Sequence, residues 1–217
     1  KETPLNTRNL KDLLEVNSDA FFRELPLGEK SNHSVTLAFI DGLIDINKVD
    51  DYILKPLFDF IQETRSVDEK SLLDHIESGL LHHAFQEIRE NLLDCVKDML
   101  NGSVALVFDQ AKKAVTLDTK GSEGRSITEP TGENIIKGAK DAFIEDIRTN
   151  TATIRKKIKT HNLIIEQTKV GKQSRTEVAI VYMKGITNRH IVEEVKKRLD
   201  GIQIDNVHQL EVLEENI

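Results

Sequence analysis

Apolar residues fall along the chain in short dense runs and in spaced stripes, and the alternation between the two marks out its elements. Leu10, Leu13, Leu14 and Val16 give a weak helical stripe that ends near Asn17 and Ser18. Phe21 and Phe22 then lead to Pro26, Gly28 and a polar tract through Ser34, which predicts a flexible lead-in rather than an element. Val35 to Ile40 is a short apolar run rich in strand formers, closed by Asp41-Gly42, and predicts a buried strand. Asn47 is placed to cap the next helix, with Asp50 in its first turn and Val49, Ile53, Leu54, Leu57 and Phe58 as its inner stripe. Pro56 falls inside that stripe, and its missing amide donor predicts a kink or a break with a second turn starting at the proline.

Leu72, Leu73, Ile76, Leu80, Leu81, Phe85 and Ile88 make an amphipathic stretch weakened by Gly79, so its second part is a candidate extended segment. A short helix over 91–100 stops at Asn101-Gly102. Val104 to Phe108 and Ala114 to Leu117 follow as strands whose short polar link favours an antiparallel pair. The longest helical stripe runs over 141–158, with Phe143, Ile147, Ile154 and Ile158 facing inward. Leu163 to Val170 and Val178 to Met183 are strands, the second apolar on both alternations and hence central in its sheet. Asn188 caps a last helix that turns Ile191, Val192, Val195 and Leu199 inward and ends at Gly201. The class is α/β, or mixed α+β: two small α/β subdomains, each a mixed sheet with helices. Their expected limits are 1–34 for the lead-in and short helix, 35–130 for the first subdomain and 131–217 for the second.

A length of 217 residues suffices to bury a core without staples, and the formal net charge of -7 argues against non-specific nucleic-acid binding as the main task. Cys95 is the only cysteine, so no internal disulfide forms and a reducing compartment fits. No apolar run approaches the roughly 20 residues of a membrane span, and no signal peptide opens the chain. The chain is thus expected to be soluble as it stands. Its start at Lys1, without methionine, and its acidic end are expected of a piece of something longer.

The candidate chemistry centres on Asp118-Thr-Lys-Gly-Ser-Glu-Gly-Arg-Ser-Ile-Thr-Glu-Pro130. Gly121 and Gly124 allow tight turns that expose amide groups, and Lys120 and Arg125 bring positive charge beside Glu123, Ser126 and Glu129. Such a loop holds either an anion or another part of its own protein, and it matches neither a P-loop nor a dinucleotide fingerprint. A second cluster is Arg148, Asn150, Thr151 and Arg155, polar residues in mid-helix where helix propensity favours others. It reads either as a functional face or as a polar face bridging two subdomains by hydrogen bonds. Asp41 suits a strand-end turn and a contact rather than acid catalysis. His75, His82, His83 and Cys95 repeat no metal signature, and no acid, base and nucleophile assemble, so neither a metal, a cofactor nor an enzyme is expected. The basic run Arg155-Lys156-Lys157-Ile158-Lys159 suits a helix C-terminus, or anionic lipid if the parent protein is membrane-bound.

Several long stretches carry a family resemblance: Phe39-Ile-Asp-Gly-Leu-Ile-Asp, Tyr52-Ile-Leu-Lys-Pro-Leu, the 118–130 loop, Arg148-Thr-Asn-Thr-Ala-Thr-Ile-Arg-Lys-Lys-Ile and Ile191-Val-Glu-Glu-Val-Lys-Lys-Arg-Leu. In this order they resemble the N-terminal region of the A subunit of bacterial spore germinant receptors, the GerA family. Ser122 stands where the family usually has tryptophan, and Lys137-Gly138-Ala139-Lys140-Asp141 where it often has Arg-Gly-Pro-Arg-Glu. The resemblance implies a cytosol-facing domain that precedes a membrane-embedded portion of the same A subunit. It implies assembly with B and C subunits in the spore inner membrane, response to amino acids, sugars or inorganic ions, and two α/β subdomains. The leading expectation is a domain that supports sensing and relay through subunit and interdomain contacts, with the 118–130 loop and the Arg148 to Arg155 face at the junction. The alternative is direct binding of a small-molecule germinant in a cleft between the subdomains.

Overall fold

The computed structural model describes residues 3–28, 33–81, 83, 85–121, 143–173 and 175–202. Its elements are α1 (Thr7–Leu14), β1 (Ala20–Pro26), β2 (Ser34–Ile40), α2 (Ile46–Val49), α3 (Lys55–Thr64), α4 (Glu69–Glu77), β3 (Gln86–Arg89), α5 (Leu92–Leu100), β4 (Ser103–Phe108), β5 (Lys113–Asp118), α6 (Ile147–Lys157), β6 (Leu163–Val170), β7 (Thr176–Met183) and α7 (Arg189–Gly201). A π-helical turn, Asp50–Leu54, joins α2 to α3.

Among the described residues of this mixed α/β chain, the seven strands divide into a five-stranded sheet, ordered β1-β2-β4-β5-β3, and the two-stranded hairpin β6-β7. Every pairing is antiparallel, which corrects the expected mixed sheets. The reason lies in the order. β3 and β4 run the same way and are joined by the α5 crossover, as in a parallel unit, but β5 is inserted between them. β7, expected to be central, has β6 as its one strand neighbour in that sheet, and its apolar residues are half-buried instead of enclosed.

Alternation along β2 and β4 splits the core into two layers. Val35, Leu37 and Phe39 with Val104, Leu106 and Phe108 face α3 and α4, where Leu57, Ile61, Leu72 and Ile76 close over them. Ala38, Ile40, Ala105, Val107 and Ala114 face α1 and α5, and their small side chains let Cys95, Val96 and Met99 approach. Both faces being covered explains why β2 and β4 read as unbroken apolar runs. The expected lead-in is in fact edge strand β1, zipped to β2 from Ala20↔Ile40 to Pro26↔Ser34. Phe21 stacks on Phe39 with ring centroids 4.6 Å apart, and Pro26 is tolerated because an edge strand leaves one row of amides unpaired.

Local chemistry sets the helix ends. Asp45, not Asn47, caps α2. Pro56 cannot donate to the carbonyl four residues back, and the turn before it widens, with the Lys55 amide bonded to Asp50 O, so the helix swells rather than breaks. Asn91 caps α5, and Gly102, at φ +90, reverses the chain after it. Residues 143–146 are not helical: α6 starts only at its cap, Asp146.

Cys95 is fully enclosed, and burial, reinforced by the Asp98 charge, pushes its thiol up to about 12. The folded chain is therefore expected to resist maleimide at neutral pH and to react fully in denaturant, with the native labelling rate reporting the opening of the α5 layer. Mass spectrometry over time checks this; rapid native labelling would contradict the packing described.

Candidate functional site

The Asp146 carboxylate accepts the Thr149 amide at 2.9 Å, and the hydroxyl and amide of Thr149 together hold that carboxyl below its usual range. The cap sets the phase of α6. Its inward residues are Thr151, Ala152 and Arg155, whereas Phe143 and Ile158, expected to face inward, are exposed. The helix therefore turns its polar stripe, not its isoleucine stripe, to the protein. Two features of the surface it meets explain this.

The first is the turn after β2. Gly42 has φ +79, and a Cβ there would stand 2.8 Å from the Ala152 Cβ, so the bare backbone admits α6 at close range. Beside it the Arg148 guanidinium donates to both Asp41 oxygens, at 2.8 and 2.5 Å. Those hydrogen bonds hold Arg148 above its usual pKa. The pair is about half exposed, so its share of the stability is small, about 0–1 kcal/mol.

The second is a buried polar cluster. The Arg155 guanidinium, 0% exposed, donates from Nε and Nη2 to the two Asp19 oxygens at 3.0 and 2.9 Å. Nη2 also reaches Asn17 Oδ1 at 2.9 Å and Nη1 the Leu163 carbonyl at 2.7 Å. Asn17 Oδ1 further accepts the Ile165 amide, and Ser18 exchanges two hydrogen bonds with β6, from its amide to Ile165 O and from the Gln167 amide to its hydroxyl. The Asp19 carbonyl accepts the Asp41 amide at 2.7 Å. The α1–β1 turn, the end of β2, α6 and the start of β6 thus meet on one buried cation. Asn17 Nδ2 is left buried without a partner among the described residues, a cost accepted where the amide oxygen serves two donors.

Asn150 works locally: its side chain accepts the Ile144 amide at 2.8 Å and donates to the Ile144 carbonyl at 2.6 Å, tying the preceding segment to α6. Buried Thr151 bonds back to the Arg148 carbonyl. Of the 118–130 loop only the first residues are described; Glu123, Gly124, Arg125, Ser126 and Glu129 lie outside the described residues, as do Ser122, 137–141 and His82. Lys120 bridges Ile44, its carbonyl accepts Lys48 Nζ at 2.9 Å, and the Gly121 amide donates to Leu43 O at 3.3 Å. Burial pushes the Asp118 carboxyl up, but the amide and ammonium of Lys120 outweigh it and hold that group low. Residues 41–45 therefore touch both α6 and the root of the loop. No group of acidic, histidine and cysteine side chains fit to hold a metal occurs among the described residues. Sequence reasoning missed Asp19 and Gly42 as partners; the Asn17-Ser18-Asp19 run after α1 was the available signal, since three polar residues there exceed what a helix end needs.

Two outcomes follow for stability. Arg155→Ala leaves Asp19 buried without its countercharge and is expected to cost about 3–5 kcal/mol, partly recovered by adding Asp19→Asn, in urea unfolding. Gly42→Ala is expected to lower stability by about 1–2 kcal/mol from the left-handed backbone alone, and further because α6 must withdraw.

The whole of residues 8–217 matches the model of the Bacillus/Clostridium GerA spore germination protein family. The chain is 30% identical over 218 residues to spore germination protein B1 of Bacillus subtilis strain 168, covering 98% of this chain and 43% of that protein. It is 28% identical over 214 residues to the uncharacterized membrane protein YfkQ of the same organism, covering 98% of this chain and 40% of that one. It thus spans about two-fifths of the length of these relatives. Its fold matches the crystal structure of the N-terminal domain of the A subunit of the Bacillus megaterium spore germinant receptor GerK3, with a TM-score of 0.73 at 25% identity over 99% of this chain and 81% of that one. With all but its first seven residues matched by that family model, the chain belongs to the GerA family.

Proposed function

We propose that this chain is the N-terminal domain of a germinant receptor A subunit and that it supports nutrient sensing by contact rather than by catalysis. Its partners in this reading are the B and C subunits and the membrane portion of the same A subunit, with the domain on the cytoplasmic side of the spore inner membrane. The observation that carries it is the Arg155 cluster with its neighbour Arg148. Each cation of this face is taken up by a carboxylate of the same chain, Asp19 or Asp41, so the face is built to join parts of a protein. The cluster fastens the part that holds β6, β7 and α7 to the five-stranded sheet, as a relay between two α/β units requires. Lys120 and Gly121 bond to Ile44 and Leu43, in the turn whose Asp41 and Gly42 meet α6, which supports a share for the root of the 118–130 loop in the junction.

Among the described residues no helix is long and apolar enough to cross a membrane, and a relative bearing the name membrane protein is more than twice as long.

Arg148→Ala and Asn150→Ala in the full-length protein are the informative changes, because both side chains are surface-accessible and their loss leaves the core in place. Spores carrying either variant are expected to show reduced receptor assembly, by immunoblot of the inner membrane, or a slowed loss of optical density on nutrient addition. Normal subunit levels with unchanged germination in both would refute the junction role. Calorimetric titration of the chain with an amino acid, a sugar and a potassium salt separates the second reading: saturable heat with one of them would assign direct germinant binding to the domain.

A further inference from the structure

Two turns meet at one end of the β6-β7 hairpin. The first runs from the end of α6 into β6, and the second from β7 into α7. The pairing Leu163↔Met183 and the hydrogen bond from the Lys184 amide to Asn162 O, 2.7 Å, hold them side by side. Residues 156–162 and 183–188 contain no acidic side chain, in a chain whose net charge is -7. Lys156, Lys159 and Lys184 are exposed there, and none of them is in an ion pair with a described residue. Of the carboxylates on the hairpin and the start of α7, Glu166 is engaged by Lys196 and the Tyr182 hydroxyl, Glu193 by Arg189, and Glu177, at the hairpin's far end, by Lys169.

Two isoleucines of these turns are absent from the core clusters, Ile158 next to Lys159 and Ile186 two residues after Lys184. Ile186 is 80% exposed and Ile158 42%. Gly185, at φ +84 with open space around it, makes the second turn project. A helix C-terminus accounts for lysines at 156 and 159 through its dipole. It accounts neither for Lys184 on a separate turn nor for the exposure of Ile186 and the partial exposure of Ile158. Positive charge clustered around a pair of protruding aliphatic groups is the composition that adsorbs to an anionic bilayer: the ammonium groups meet lipid phosphates, and the aliphatic groups enter the headgroup boundary.

We propose that this tip docks the domain on an anionic phospholipid surface, with Lys156, Lys159 and Lys184 supplying attraction and Ile158 and Ile186 shallow insertion. Charge complementarity selects the occupant, since the tip is an acid-free basic end on an acidic protein. Vesicle binding needs no receptor, so it stands apart from the subunit role.

The test is co-sedimentation of the 217-residue chain with vesicles of phosphatidylcholine containing about one-third phosphatidylglycerol, against phosphatidylcholine alone. Binding is expected to the first and not to the second, and to weaken with added salt. Lys156→Glu, Lys159→Glu and Lys184→Glu together are expected to lower affinity by at least roughly 100-fold, at about fivefold for each lysine lost and more from the repulsion of the added carboxylates. Ile158→Ser with Ile186→Ser is expected to weaken binding several-fold at unchanged charge. Lys55→Glu, Lys70→Glu and Lys97→Glu, equally exposed and elsewhere on the surface, serve as the matched control and are expected to leave it intact. Circular dichroism confirms that each variant folds. Failure to bind the charged vesicles, equal binding to both kinds, an equal loss in the control, or serine variants that bind like the unsubstituted chain would each overturn the proposal.

Discussion

A guanidinium that no water reaches must have its donors met by protein, and this requirement at Arg155 governs how the second half of the chain is placed. Leaving such a charge unpaired costs several kcal/mol, so the segments that supply its acceptors are not free to drift. Those segments are the turn after α1 and the start of β6, and the first stands up to 138 residues from Arg155 along the chain. Charge and geometry together admit one arrangement: the carboxylate of Asp19 takes two donors side by side, and the Leu163 carbonyl takes another. The pair is better regarded as a device for register than as a source of stability, since two well-packed apolar residues would hold the segments at no desolvation cost.

The Gly42 contact and the Arg148–Asp41 pair act one turn of α6 earlier and depend on the same placement. Without a side chain at 42 the helix approaches the end of β2 closely enough for Arg148 to reach Asp41, and Asp41 is itself anchored through its amide to Asp19. Close backbone approach, surface ion pair and buried cluster thus form one continuous seam.

Most helices and the central strands were legible because their signal is local. The runs at 35–40 and 104–108, the Asn188 cap and the stop at Asn101-Gly102 each depend on neighbours in sequence. What escaped depends on distant partners. β1 looks like loop because its alternation is weak and ends in Pro26, and only its pairing with β2 makes it a strand. α6 has an isoleucine stripe, yet its inward face is chosen by Asp19, Asn17 and Gly42, which lie more than a hundred residues away. The mid-helix polar residues signal that α6 has partners, since their cost to helix propensity is offset only by contacts. They could not name those partners.

The placement of β5 between β3 and β4 sets the order in which the sheet can close as the chain is synthesised. β2 lacks its inner neighbour until Ser103–Phe108 has emerged, and β3 has none at all until Lys113–Asp118 follows. The growing chain therefore carries a two-stranded ribbon and a detached strand on either side of a gap, and a single hairpin, β4 with β5, fills it from the middle. The keystone of the sheet is its last pair to arrive.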